Sequence, residues 1–161
     1  MSEMKVLEGI LSAKGKRFGI ISSRFHDLLG EKLLQSSLDC LLRHGAEQRN
    51  IEIVKVPGSF EIPIIARSLA RSGRFDALLC LGILIRGETP HFDLMSREVA
   101  RGVAEVGRET GVPTLFGIVT AENVEQAMER VGTKLGNRGW DAALAAIEMA
   151  DLLEKTKKNS K

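Results

Sequence analysis

Apolar positions along the chain follow two spacings that alternate. Short β-rich runs occur at Phe18-Gly19-Ile20-Ile21, at Ile51 to Val56, at Ala77 to Ile85 and at Thr114 to Val119. Helical spacing lies between them: Leu34, Leu38, Leu41 and Leu42; then Ile62, Ile65, Ala66 and Leu69; then Phe92, Val99, Val103 and Val106. Val124, Ala127, Met128 and Val131 repeat the pattern, and a last helix begins near Arg138 with Trp140, Leu144 and Ile147 on one side. Strand followed by helix, four times over, describes βαβ units and a parallel sheet with helices on both faces. The almost wholly apolar run Ala77–Ile85 fits a central strand covered on both sides. Leu7-Glu8-Gly9-Ile10-Leu11 reads as one further, peripheral strand. The expected fold class is α/β, a three-layer α/β/α sandwich around a four-stranded parallel sheet.

With 161 residues, 43% of them hydrophobic and 27% charged, the chain suits one domain over residues 1–161. Residues 1–6 and the basic tail 155–161 are expected to be frayed termini. A net charge of +2 gives no sign of a nucleic-acid or membrane surface. Met1-Ser2-Glu3-Met4-Lys5 lacks the apolar core of a signal peptide, and no apolar run reaches membrane-spanning length, so a cytoplasmic protein is expected. Cys40 and Cys80 lie in apolar stretches without CxxC spacing, which reads as two buried free thiols.

Ligands of open parallel sheets bind beyond the carboxyl ends of the strands. That rule selects Ser22-Ser23-Arg24-Phe25-His26, Pro57-Gly58-Ser59-Phe60-Glu61, Arg86 to His91, and Thr120-Ala121-Glu122. In the third loop Thr89 and Pro90 read as N-cap and first helical residue, so a helix starts directly after a buried strand. Free amides and the positive end of the helix dipole suit a phosphate there, and Gly87 allows close backbone approach. His91, in the first turn, would stand beside that anion as a residue able to exchange protons near neutrality. The same triplet also serves as an ordinary helix start with a solvated histidine.

Phe25 and Phe60 could stack on a flat heteroaromatic ligand or simply cover the edge of the core. Ser59 reads as an N-cap with Glu61 in the first turn. His26 is either a ligand contact or a polar residue at a helix start, and His44 before Gly45 reads as a partner of a helix C-terminus. The connection Arg130 to Trp140, with three glycines and three cations, reads as a second anion-binding element, a shaped interface or a solvated turn. No GxGxxG follows the first strand, and Gly9 to Gly15-Lys16-Arg17 misses a Walker A loop by one residue and a missing Ser/Thr. No spacing suggests a metal site and no GxSxG elbow occurs.

The loops together carry a longer pattern. Ser23-Arg24-Phe25, Val56-Pro57-Gly58-Ser59-Phe60-Glu61-Ile62-Pro63, Ile85-Arg86-Gly87-Glu88-Thr89-Pro90-His91-Phe92-Asp93, Phe116-Gly117-Ile118-Val119-Thr120, and Glu125-Gln126-Ala127 through Arg130 to Gly132-Thr133-Lys134 and Gly136-Asn137 occur in that order. From about Leu7 to Leu153 the chain resembles the 6,7-dimethyl-8-ribityllumazine synthases of riboflavin biosynthesis. The resemblance implies a flavodoxin-like sheet with an N-terminal strand that joins a neighbouring subunit. It also implies condensation of 5-amino-6-(D-ribitylamino)uracil with 3,4-dihydroxy-2-butanone 4-phosphate, with no cofactor and no metal.

Carried over by position, the resemblance implies that Phe25 stacks on the pyrimidine. Ser59, Phe60 and Glu61 would hold the ribityl chain, and Ile83, Leu84 and Ile85 would line the uracil site. Glu88 and Thr89 would bind phosphate through main-chain amides, and His91 would transfer protons. From an adjacent subunit, Phe116 would cover the ring and Arg130 would clamp the phosphate. The resemblance further implies pentamers, a sixty-subunit icosahedral shell in many members, and riboflavin synthase as a candidate partner. The compact connection Gly132 to Gly139 favours the shell. His26 stands where the family often has Asn, Arg138 where it often has Lys, and Phe60 where it often has Trp; His26 and Arg138 are additional candidate contacts. Rival readings are a relative that dismutates lumazine to riboflavin, a flavin- or lumazine-binding protein, and a predominantly structural shell protein.

Overall fold

The computed structural model describes residues 3–132 and 136–160. Four strands, β1 (Phe18–Ser23), β2 (Ile51–Val56), β3 (Ala77–Ile85) and β4 (Thr114–Ala121), form one parallel sheet in the order β2-β1-β3-β4. Five α-helices accompany them: α1 (Asp27–Arg43), α2 (Ile62–Arg71), α3 (His91–Thr110), α4 (Val124–Arg130) and α5 (Arg138–Lys158). Short 3₁₀ turns occupy Gln48–Asn50 and Ser59–Glu61. The architecture is the three-layer, flavodoxin-like α/β/α sandwich.

The side-chain alternation of β3 explains the layers. Leu79, Leu81 and Ile83 pack with Leu33 and Leu41 of α1 and Ala143 and Ile147 of α5. Leu78 and Cys80 point the other way, into Ile62 and Ala66 of α2 and Val99 and Val103 of α3. Each fully buried Leu or Ile contributes roughly 1.5–3 kcal/mol, and the strand is covered on both faces as its composition requires. Both cysteines are free and buried. Burial pushes the Cys80 thiol up to about 12, and burial with the nearby Asp39 and Asp141 charges pushes Cys40 up to about 11, so both stay protonated near neutrality. Helices α1 and α5 touch backbone to backbone: a Cβ on Gly139 would collide with the Leu33 carbonyl oxygen.

Several sequence expectations need correction. β1 and β4 each run two residues further than their apolar cores, so Ser22, Ser23, Thr120 and Ala121 are strand rather than loop. Leu42 is exposed, because the buried side of α1 carries Leu33, Leu34, Cys40 and Leu41. In the short α4 only Ala127 faces the core, Val131 lies just past the helix end, and Val124 and Met128 are exposed.

Leu7–Leu11 forms no strand in this chain. It lies against α5 instead, with the Ile10 amide donating to Asp151 Oδ2 at 3.0 Å and Lys155 Nζ donating to the Glu8 carbonyl at 2.9 Å. The tail is not frayed from Lys155 either, because α5 continues to Lys158, held by Lys155–Asp151 and Lys158–Glu154 pairs one turn apart. No helix among the described residues is long and apolar enough to cross a membrane.

Candidate active site

Strands β2, β1 and β3 are neighbours, so the three loops that leave their carboxyl ends share one margin of the sheet. Phe25 follows β1 and Phe60 follows β2, and they keep 66% and 59% of their surface exposed. Neither ring seals the core in this chain, which leaves each able to meet a flat ligand. His26 holds a left-handed backbone with φ 59°, the one non-glycine residue of the described chain to do so. From there its carbonyl accepts the amides of Leu29 and Gly30 at the start of α1, and its ring meets that of Phe25 edge-on at 4.7 Å. Backbone strain of this kind gathers at functional sites.

Ser59 does not cap a helix. It opens the 3₁₀ turn before α2, is 3% exposed, and its hydroxyl meets no partner among the described residues. The Ser22 and Ser23 hydroxyls at the end of β1 are buried and unpartnered as well. Gly82 of β3 makes room for two of these groups: a Cβ there would lie 2.5 Å from Ser59 Oγ and 3.0 Å from Ser23 Oγ. Buried hydroxyls left unpaired are costly, and two of them, Ser23 and Ser59, meet over Gly82 at this end of the sheet. Glu61 turns back instead, accepting the Gly58 amide on Oε2 at 3.0 Å and fixing the turn.

At the end of β3, Ile83 is buried in the α1/α5 layer, while Leu84 and Ile85 are half-buried. The expected cap of α3 is displaced by one residue. Pro90, not Thr89, holds the cap position, and its carbonyl accepts the Leu94 amide at 3.3 Å. Thr89 Oγ1 only brushes the His91 amide at 3.4 Å. The amides of Gly87, Glu88 and Thr89 meet no acceptor among the described residues, so they are free for an anion at this helix start. His91 is the first residue of α3 and is exposed.

Phe116, Arg130 and Arg138 come together elsewhere. With Ile118, Val119 and Thr120 they line a groove of about 390 Å³ along β4, one of the two edge strands of the sheet. Phe116 is 43% exposed, and Arg130 has no carboxylate partner among the described residues. Arg138 lies 3.8 Å from Asp141. Phe116 pairs in register with Cys80 whereas Ala121 pairs with Ile85, five residues on, which places Phe116 roughly 16 Å below the level of the His91 loop. In one chain, therefore, Phe116 stands well below the margin that carries Phe25, Ser59 and His91, although the groove extends up β4 to Thr120, level with Leu84.

Arg86 is the one prominent side chain here whose role the sequence left unread. Its guanidinium grips both carboxylate oxygens of Asp93 at 3.0 and 3.1 Å and Glu122 Oε2 at 2.6 Å, and lies 4.6 Å from the centre of the Phe92 ring. These bonds raise the Arg86 pKa further and hold Asp93 below the usual carboxylate range. His44, in contrast, is an ordinary helix-end residue: it sits at the C-terminus of α1 with its Nδ1 2.7 Å from the Cys40 carbonyl oxygen. Of the connection from Arg130 to Trp140, Thr133, Lys134 and Leu135 lie outside the described residues. The described part is ordered by Asn137, whose Oδ1 accepts the Gly139 and Trp140 amides and whose Nδ2 donates to the Val131 carbonyl.

Comparison with known proteins gives the family. Residues 15–154 match the family model described as 6,7-dimethyl-8-ribityllumazine synthase. A 6,7-dimethyl-8-ribityllumazine synthase of Desulfatibacillum aliphaticivorans is 55% identical over 153 residues, covering 95% of this chain and 99% of the relative. One from Clostridium kluyveri is 55% identical over 152 residues (94% and 99%), and one from Chlorobaculum parvum is 50% identical over 153 residues (95% and 98%). The family model over residues 15–154 and the near-full-length identity show that the chain belongs to the 6,7-dimethyl-8-ribityllumazine synthase family.

Proposed function

We propose that the chain condenses 5-amino-6-(D-ribitylamino)uracil with 3,4-dihydroxy-2-butanone 4-phosphate, yielding 6,7-dimethyl-8-ribityllumazine, phosphate and water, at sites each shared by two subunits. The observation that carries the shared site is the strand register. Phe116 sits on the β4 edge strand roughly 16 Å below the level at which the His91 loop leaves β3, and it shares its groove with Arg130, which meets no carboxylate among the described residues. A second copy docked on the sheet margin can bring its own Phe116 and Arg130 to the Phe25 and His91 of the first. A closed cyclic arrangement, the family's pentamer, repeats that contact around a ring. The sixty-subunit shell, the cytoplasmic location and an association with riboflavin synthase belong to the same reading.

The chemistry asks little of the protein beyond placement. The uracil amine is the nucleophile, so no enzyme nucleophile is needed. Phe25 and the neighbour's Phe116 hold the ring between them, and the orphan Ser59 hydroxyl takes a ribityl hydroxyl as its missing partner. The amides of Glu88 and Thr89 with the neighbour's Arg130 fix the phosphate of the second substrate. Holding the two reactants in register turns a bimolecular encounter into an effectively unimolecular one. His91 carries protons between the amine, the ketone oxygen and the departing phosphate, a contribution of about 10²–10⁴-fold. His26 and Arg138 flank these groups as further contacts. Incubating the purified protein with both substrates and following the lumazine chromophore tests the activity; absence of product at saturating substrate rejects it.

A further inference from the structure

Two arginines serve the phosphate region, and their surroundings differ. Arg130 meets no carboxylate among the described residues, whereas Arg86 is bound by two carboxylates. Three carboxylate oxygens take the guanidinium donors of Arg86, and Phe92 covers its face. Each of its three guanidinium nitrogens is already committed to a carboxylate, which fixes its orientation toward protein rather than toward a ligand. What it does hold is chain: Asp93 is in the first turn of α3, Glu122 follows β4, and the Arg86 amide itself donates to the Ala121 carbonyl at 2.9 Å. The segment Gly87–Pro90 contains no regular structure, and the amides of Gly87, Glu88 and Thr89 meet no internal acceptor. Among the described residues its internal bonding is confined to the long contact of the His91 amide with Thr89 Oγ1 at 3.4 Å. Its two ends are set by Arg86.

The geometry points to Arg86 as a positioning residue: by clasping Asp93 and Glu122 it fixes the loop that carries the phosphate-binding amides and His91, without touching substrate itself. The proposal rests on the reading of Glu88, Thr89, His91 and Arg130 given above. It adds that the geometry of that site is held by a three-way ion cluster spanning β3, α3 and the end of β4. The planar fork of arginine is needed for this, because a lysine cannot grip two carboxylates and stack on a ring at once. Exposed ion pairs contribute little to global stability, so loss of the clasp should appear in catalysis rather than in folding.

The test uses the full-length assembled protein with Arg86→Gln, Arg86→Lys, Asp93→Asn and the Arg86→Gln/Asp93→Asn pair, beside Arg130→Ala and His91→Ala. Expected are a fall of about 10–100-fold in kcat/KM for the phosphate ester, a KM for the aminouracil within about twofold of the parent, and a melting point within about 5 °C. Lysine should be no better than glutamine, and the double variant no worse than either single one, because all break the same clasp. Lysine restoring parental kinetics would mean that Arg86 acts on phosphate as a simple charge, and the proposal falls. It falls equally if the single losses multiply in the double variant, if the KM values for both substrates rise alike, or if none of the Arg86 variants changes kinetics. Should Arg130→Ala and His91→Ala also leave the kinetics unchanged, the site assignment itself is wrong, which separates the two failures.

Discussion

Replacing Ser59 by Ala should move stability and substrate affinity in opposite directions. The Ser59 hydroxyl is buried, faces Gly82 and meets no partner among the described residues. From mutational data an unpaired buried hydroxyl costs about 1–3 kcal/mol, and alanine removes it while keeping the Cβ that packs. Ligand-free Ser59→Ala protein should therefore be the more stable by up to about that amount, or roughly 3–9 °C in melting temperature for a chain of this length. With the aminouracil bound, the parent gains a hydrogen bond that the variant lacks. A net 0.5–1.5 kcal/mol corresponds to about a 2–12-fold higher KM for that substrate, with the KM for the phosphate ester unchanged. Denaturant titration of ligand-free protein gives the first quantity, and steady-state kinetics with each substrate varied in turn gives the second. A variant that is less stable and binds the aminouracil as tightly as the parent would refute the assignment of this hydroxyl to the ribityl chain.

Other outcomes follow from the same geometry. His91→Ala should lower kcat by about 10²–10⁴-fold while leaving both KM values near parental, measured by chromophore formation at saturating substrate. Arg130→Ala should raise the KM for the phosphate ester by at least about tenfold, from loss of a charge-assisted contact; unchanged kinetics across ester concentrations would remove the clamp. Gly82→Ala places a Cβ 2.5 Å from Ser59 Oγ, so denaturant titration should show a loss of about 1–3 kcal/mol that is smaller when Ser59→Ala is also present. Lys158 and Lys16 hold the Glu154 carboxyl at about 2, against 4.5 for the unperturbed group. A depressed carboxyl stabilises the fold above its unfolded pKa and loses that contribution as pH falls from about 4.5 through 2. The effect is small at so exposed a site, and Glu154→Gln should flatten that part of the pH–stability curve.

The layers were legible because burial on both faces leaves an unmistakable apolar run, as at Ala77–Ile85, and because helical spacing marked Ile62, Val99, Val103 and Ile147 as core. The ligand margin was legible from topology alone, since parallel strands deliver their following loops to one side. What the sequence concealed was non-local. Arg86 and Glu122 are 36 positions apart, and no local pattern marks a guanidinium as bound to carboxylates of its own chain. Ser59 has the residue type of a helix cap and stands where a cap would stand; only its packing against Gly82 separates the two roles. Thr89 lost the cap position to Pro90 by a one-residue shift, which composition cannot resolve. Leu7–Leu11 has strand-like composition but no strand partner within its own chain, where α5 takes its hydrogen bonds instead.

The shared site can be examined by mixing. His91→Ala and Arg130→Ala subunits are dissociated together and reassembled at equal ratio, and lumazine formation is followed at limiting phosphate ester. If each site draws His91 from one subunit and Arg130 from the next, random assembly restores about one quarter of the sites, and activity rises well above either parent. If each subunit supplies both residues to its own site, the mixture shows only the mean of the two damaged enzymes, and the account of a site divided between neighbours is wrong.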